Sequence, residues 1–136
     1  MKKYKFLLVA SNFYPEITLG LVKGAQKYLE ENGHKFYTTF TKGSLEIPTK
    51  ISMKLKKHKY DAVVAIGCII KGKTDHYEFI ANAITTTLLE LSIQNKIPIS
   101  NSVLMCRNIK QAKERSSKKL NRAKEAVEAA ITVLQD

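Results

Sequence analysis

A chain of 136 residues is long enough for one domain that buries most of its apolar surface without disulfide or metal staples. No apolar run approaches the ~18 residues of a membrane span, and Asn12, Pro15 and Glu16 cut the first apolar stretch too short for a secretory leader. The formal charge of +11 is concentrated in Lys50–Lys59 and Arg107–Lys124. The first cluster lacks interleaved aromatics and reads as a solvated helix end, which excludes nucleic acid and membrane surfaces as expected partners. The second could lend a charge or two to an anionic substrate.

In chain order, four β-rich apolar runs alternate with amphipathic segments. Lys5–Ala10 predicts a strand, and Thr18–Glu31 a helix with Leu21, Ala25, Tyr28 and Leu29 on one face and Asn32-Gly33 as its stop. Lys35–Phe40 is the second strand, followed by a helix over Ile47–Lys56. Ala62–Ile66 is apolar throughout, as suits a strand covered on both faces, and leads through a glycine-bearing turn to a helix over His76–Gln94. Ile99–Leu104 is the fourth strand; a short helix near Ile109–Lys113 and a last one over Asn121–Leu134 follow, the latter striped by Ala123, Val127, Ala130, Ile131 and Leu134. Such alternation implies right-handed βαβ units, and hence a single three-layer α/β domain over residues 1–136 with a four-stranded parallel sheet. Ligands of such sheets gather at the carboxyl ends of the strands. The two cysteines, Cys68 and Cys106, have no CxxC spacing and read as reduced thiols of a cytosolic protein.

Gly67–Thr74 fulfils G-x-x-x-x-G-K-[ST], the phosphate-cradling P-loop pattern. Against that reading, Ile69 and Ile70 are β-branched and suit extended backbone better than a loop around phosphate. No later strand ends in an acid able to help hold Mg²⁺. The same residues still make an anion site: N–H groups near a helix start, the Lys73 charge and the Thr74 hydroxyl. His76 stands beside that anion, where its side chain can move protons near neutral pH.

Gly67–Asn82, reading GCIIKGKTDHYEFIAN, resembles the loop and helix of 6,7-dimethyl-8-ribityllumazine synthases, G-x-[VI]-I-[RK]-G-x-T-x-H-[FY]-[DE]-x-[VI]-x-N. Three more segments agree in order. Ser11–Thr18 is similar to the family's R-F-N-x-x-I-T loop, Gly43–Pro48 to its G-[AS]-[FL]-E-[IL]-P loop, and Gln111–Arg115 with Asn121 to its Q-A-x-E-R segment and the following N-K-G. The resemblance spans essentially the whole chain and implies a flavodoxin-like fold. It also implies an enzyme of riboflavin biosynthesis, without metal or organic cofactor. That enzyme condenses 5-amino-6-(D-ribitylamino)uracil with 3,4-dihydroxy-2-butanone 4-phosphate to 6,7-dimethyl-8-ribityllumazine, phosphate and water.

By that resemblance, Phe13 would stack on the pyrimidine ring, and Ser44, Leu45, Glu46, Cys68, Ile69 and Ile70 would line the aminouracil side. Glu46 would accept from ribityl hydroxyls. Lys73, Thr74 and Arg115 would bind the phosphate, Arg115 from a neighbouring subunit, and His76 would be the general acid/base. Asn101 and Arg122 would face a neighbouring subunit. The family forms pentamers, some closing twelve of them into a hollow shell. The chain departs from the pattern at Asn12, Tyr14 and Lys42, at Ser100-Asn101-Ser102 and between Arg115 and Asn121, where glycines are missing and a free pentamer is expected. Two other classes are open to the residues: a P-loop nucleotide hydrolase, and a non-catalytic module binding an anionic partner through its basic surface.

Overall fold

The computed structural model describes residues 2–73 and 75–135. Strand β1 is Lys5–Ser11, followed by helix α1 (Pro15–Glu31), β2 (Lys35–Thr41), a 3-10 turn (Ser44–Glu46), α2 (Ile47–Lys57) and β3 (Ala62–Ile70). A second 3-10 turn (Lys71–Lys73) leads to α3 (Tyr77–Asn95), β4 (Ile99–Cys106), α4 (Ile109–Arg115) and α5 (Arg122–Leu134). The strands form one parallel sheet in the order β2-β1-β3-β4.

Alternation along each strand builds the two outer layers. Phe6, Leu8 and Ala10 of β1, with Val64, Ile66 and Cys68 of β3, pack under Leu21, Ala25 and Leu29 of α1 and Ala123, Val127 and Ala130 of α5. Leu7 and Val9, with Val63, Ala65 and Ile69, face Ile47 and Ile51 of α2 and Ile84 and Leu88 of α3. All nine residues of β3 are buried, as its apolar run predicts for a central strand. Pro15 opens α1 at its first turn, where a missing N–H costs nothing, so that helix begins earlier than its periodicity indicates.

The main departure from the predicted elements is at the end of β3. Gly67–Ile70, expected as a turn, continues the strand through pairs with Val103, Leu104, Met105 and Cys106. Glycine is rare in strand interiors, yet here three segments converge on it. A Cβ at Gly67 would lie 2.6 Å from Ser44 Oγ and 2.9 Å from Ser11 Oγ. The strand therefore occupies the stretch that a P-loop would need for wrapping phosphate.

Candidate active site

The sheet reverses its order between β1 and β3, and β2 lies on the far side of β1, so the loops after these three strands converge on one crevice. A cleft of about 320 Å³ opens there, lined by Phe13 and Tyr14 after β1, Gly43, Ser44, Leu45 and Glu46 after β2, Cys68, Ile69 and Ile70 at the end of β3, Lys73 beyond it, and Ile80 of α3. Of the sequence-predicted residues on the aminouracil side, the fold brings all of them, from Phe13 to Ile70, to this one cleft.

Phe13 is 65% exposed, unusual for a phenylalanine, and meets the Tyr14 ring edge-on with centroids 5.0 Å apart. Tyr14 is half-buried against the core, and burial, with the nearby Cys68 thiol, raises its phenol pKa. Its hydroxyl is therefore protonated at neutral pH and available as a donor. Glu46 ends the 3-10 turn, and its Oε1 accepts the Gly43 N–H at 2.8 Å. That bond fixes the carboxylate at the cleft wall; the loop is further pinned by the Thr41 hydroxyl donating to the Gly43 carbonyl at 2.8 Å.

On the phosphate side, Lys73 lines the cleft from the 3-10 turn, and a Cβ at the neighbouring Gly72 would meet nothing within 4 Å, so its approach is open. The expected role of Thr74 falls outside the described residues. His76 is exposed at the N-cap position of α3, its carbonyl accepting the Ile80 N–H at 3.0 Å. Its side chain makes no capping bond to the helix.

Arg115, Asn101 and Arg122 lie elsewhere. They line a second cavity of about 620 Å³ along the edge strand β4, with Thr85, Ser102, Met105 and Glu125. Arg115 Nη1 donates to the Met105 carbonyl at 3.3 Å and to Cys106 Sγ at 3.6 Å. Asn101 Oδ1 accepts the Val103 N–H at 2.9 Å, whereas the buried Ser102 Oγ has no hydrogen-bond partner among the described residues. The chain thus carries Lys73 and Arg115 in different cavities.

A family model described as 6,7-dimethyl-8-ribityllumazine synthase matches residues 3–136. The chain belongs to the 6,7-dimethyl-8-ribityllumazine synthase family. It is 36% identical to the synthase of Bartonella tribocorum over 98% of this chain and 89% of that one. The synthase of Zymomonas mobilis is 35% identical, with 95% and 93% covered, and that of Buchnera aphidicola 38% identical, with 93% and 82% covered. The protein is accordingly an enzyme of riboflavin biosynthesis, with the flavodoxin-like α/β fold that its alternating elements imply.

Three residues that line this cleft are not among the sequence-predicted site residues: Tyr14, Gly43 and Ile80. Tyr14 stands where the family pattern has another residue, so the motif gave no sign of it. Ile80 follows His76 by one helical turn, and that spacing was the available signal.

Proposed function

We propose that the condensation takes place in the cleft between Phe13, Glu46 and Ile70, and that a neighbouring protomer completes it. The carrying observation is convergence. An exposed aromatic face, a fixed carboxylate and a lysine line one crevice at the sheet's switch point. Phe13 stacks on the pyrimidine of the aminouracil, Glu46 accepts from ribityl hydroxyls, and the β3 end at Ile69 and Ile70 offers main-chain groups to the ring. Lys73, with Thr74, takes the phosphate of the four-carbon ketone. His76 shuttles protons as the amine and ketone form an imine and phosphate is eliminated, a role worth about 10²–10⁴-fold in rate. Holding two reactants in one cleft supplies much of the rest.

Arg115 is proposed to clamp the same phosphate from the adjacent subunit, with Asn101 and Arg122 beside it. Their separation from Lys73 within one protomer supports this reading. A head-to-tail arrangement that joins one protomer's cleft to the next one's second cavity closes into a ring, here a homopentamer. The exposed Phe79, Leu89 and Ile93 on α3 supply apolar surface for such a contact. The two free thiols support a cytoplasmic setting; among the described residues no helix is long and apolar enough to cross a membrane.

The test is direct: purified protein with both substrates and no added metal, followed by lumazine absorbance and fluorescence. No product above the uncatalysed background would overturn the proposal. His76→Ala should lower kcat by about 10²-fold or more, and full activity in that variant would remove His76 from the catalytic role. Mixing His76→Ala with Arg115→Ala subunits, each nearly inactive, should restore activity through mixed interfaces; failure to complement would place Arg115 outside the shared site.

A further inference from the structure

Arg115 is the last residue of α4, where a long side chain ordinarily samples many rotamers. Here a single nitrogen, Nη1, is tied to the last two residues of β4, at 3.3 Å to the Met105 carbonyl and 3.6 Å to Cys106 Sγ. Cys106 is fully buried in the core layer under α1, α4 and α5, so its sulfur is a fixed point and the guanidinium is the movable partner. The remaining guanidinium N–H groups are left for a ligand in the second cavity, which Arg115 lines.

We propose that Cys106 is a positioning residue: its sulfur selects the rotamer in which Arg115 presents its guanidinium to the substrate phosphate. The inference rests on the assignment of Arg115 as a phosphate clamp. The chemistry of the pair supports it. The neighbouring Cys68 thiol, with the Arg115 and Arg122 charges, outweighs burial and lowers the Cys106 pKa. Cys68 is pushed in the opposite direction and stays a thiol. A sulfur with partial thiolate character accepts a stronger, charge-assisted bond from a guanidinium than a neutral thiol does. Cys68 also lines the Phe13 cleft.

The experiment compares the assembled wild-type enzyme with Cys106→Ala, Cys106→Ser and Arg115→Gln. The readouts are kcat, KM for each substrate, and competitive inhibition by inorganic phosphate. Loss of one such bond should raise KM for 3,4-dihydroxy-2-butanone 4-phosphate and Ki for phosphate about fivefold in Cys106→Ala, the aminouracil KM staying within about twofold. Cys106→Ser, which keeps an acceptor, should recover most of that loss. Should the alanine variant not assemble, Cys106→Val carries the same test, filling the site without an acceptor. If Arg115→Gln weakens phosphate binding while Cys106→Ala and Cys106→Val do not, positioning by Cys106 is wrong and the clamp stands. If Arg115→Gln changes nothing, both fall. A uniform rise of both KM values with a fall in kcat, alike in Ala and Ser, would reduce Cys106 to packing and overturn the proposal.

Discussion

Asn121 joins three parts of the chain, and its coupling to Gly24 can be worked out from the geometry. Its Oδ1 accepts the N–H groups of Ala123 and Lys124, each at 3.1 Å, capping α5. Its Nδ2 donates to the Gly20 carbonyl of α1 at 2.8 Å and to Ser116 O at 3.4 Å. The amide rests directly over Gly24, where an added Cβ would overlap it. Asn121→Ala removes a helix cap worth about 1 kcal/mol, an interhelical hydrogen bond worth about 1 kcal/mol, and atoms filling the space over Gly24, worth about another 1 kcal/mol. The sum of about 3 kcal/mol corresponds to a fall in Tm near 10 °C for a chain of this size. Gly24→Ala alone should also destabilise, by roughly 1–3 kcal/mol of overpacking. In the Asn121→Ala background the clash is gone. There, alanine should stabilise by about 1 kcal/mol, because it is the better helix former. The cycle therefore predicts a change of sign, not a sum. It is read by thermal melts of the four proteins at one fixed concentration. Additive effects, with Gly24→Ala harmful in both backgrounds, would refute the reasoning.

Two more predictions concern the cleft and pH. Gly67→Ala should push Ser44 and Ser11 apart, destabilise by about 1–3 kcal/mol, and raise the aminouracil KM because Ser44 carries Leu45 and Glu46 with it; an unchanged KM in steady-state assays would show that the loop has another support. His34 is buried and uses Nδ1 to accept the Tyr4 N–H at 3.0 Å, so its folded state requires the neutral ring, and burial, with the Lys3 charge, lowers its pKa from 6.5. The unfolded chain takes up the proton first as pH falls. This contribution is thus complete above about 6.5 and lost progressively below it, through the lowered folded pKa. Melts of wild type and His34→Gln between neutral and mildly acid pH should show a smaller acid loss in the variant; equal losses would assign the acid sensitivity elsewhere.

Much of the fold was legible because its signals were local. Periodicity in Leu21, Ala25 and Leu29 and the unbroken run Ala62–Ile66 need no partner to be read. The cleft residues were legible because Phe13, Leu45-Glu46 and Ile69-Ile70 stand in co-ordered motifs at or just after strand ends. What stayed hidden depended on distance along the chain. The Arg115 bonds to Met105 and Cys106 span a strand end and a helix, and Asn121 reaches Gly20 over 101 positions. Neither leaves a pattern in neighbouring residues. The nearness of Cys68 to Cys106 is of the same kind, since the register of β3 against β4 pairs Cys68 with Leu104 and Ile70 with Cys106.

Gly67 shows how the same glycine can carry two meanings. Read locally it opens a phosphate-binding loop, since glycine and a following Gly-Lys-Thr fit that pattern. In the fold its missing side chain makes room for Ser44 and Ser11, and β3 runs on to Ile70 in register with Cys106. This extension decides the chemistry. It carries Ile69 and Ile70 as a straight edge along the cleft, where a flat ring can lie, and the short turn Lys71–Lys73 follows directly. A nucleotide's phosphates would need the backbone that the strand has taken. The proposed ligand, one phosphate on a small ketone, needs less backbone, and the turn that carries Lys73 lines the cleft.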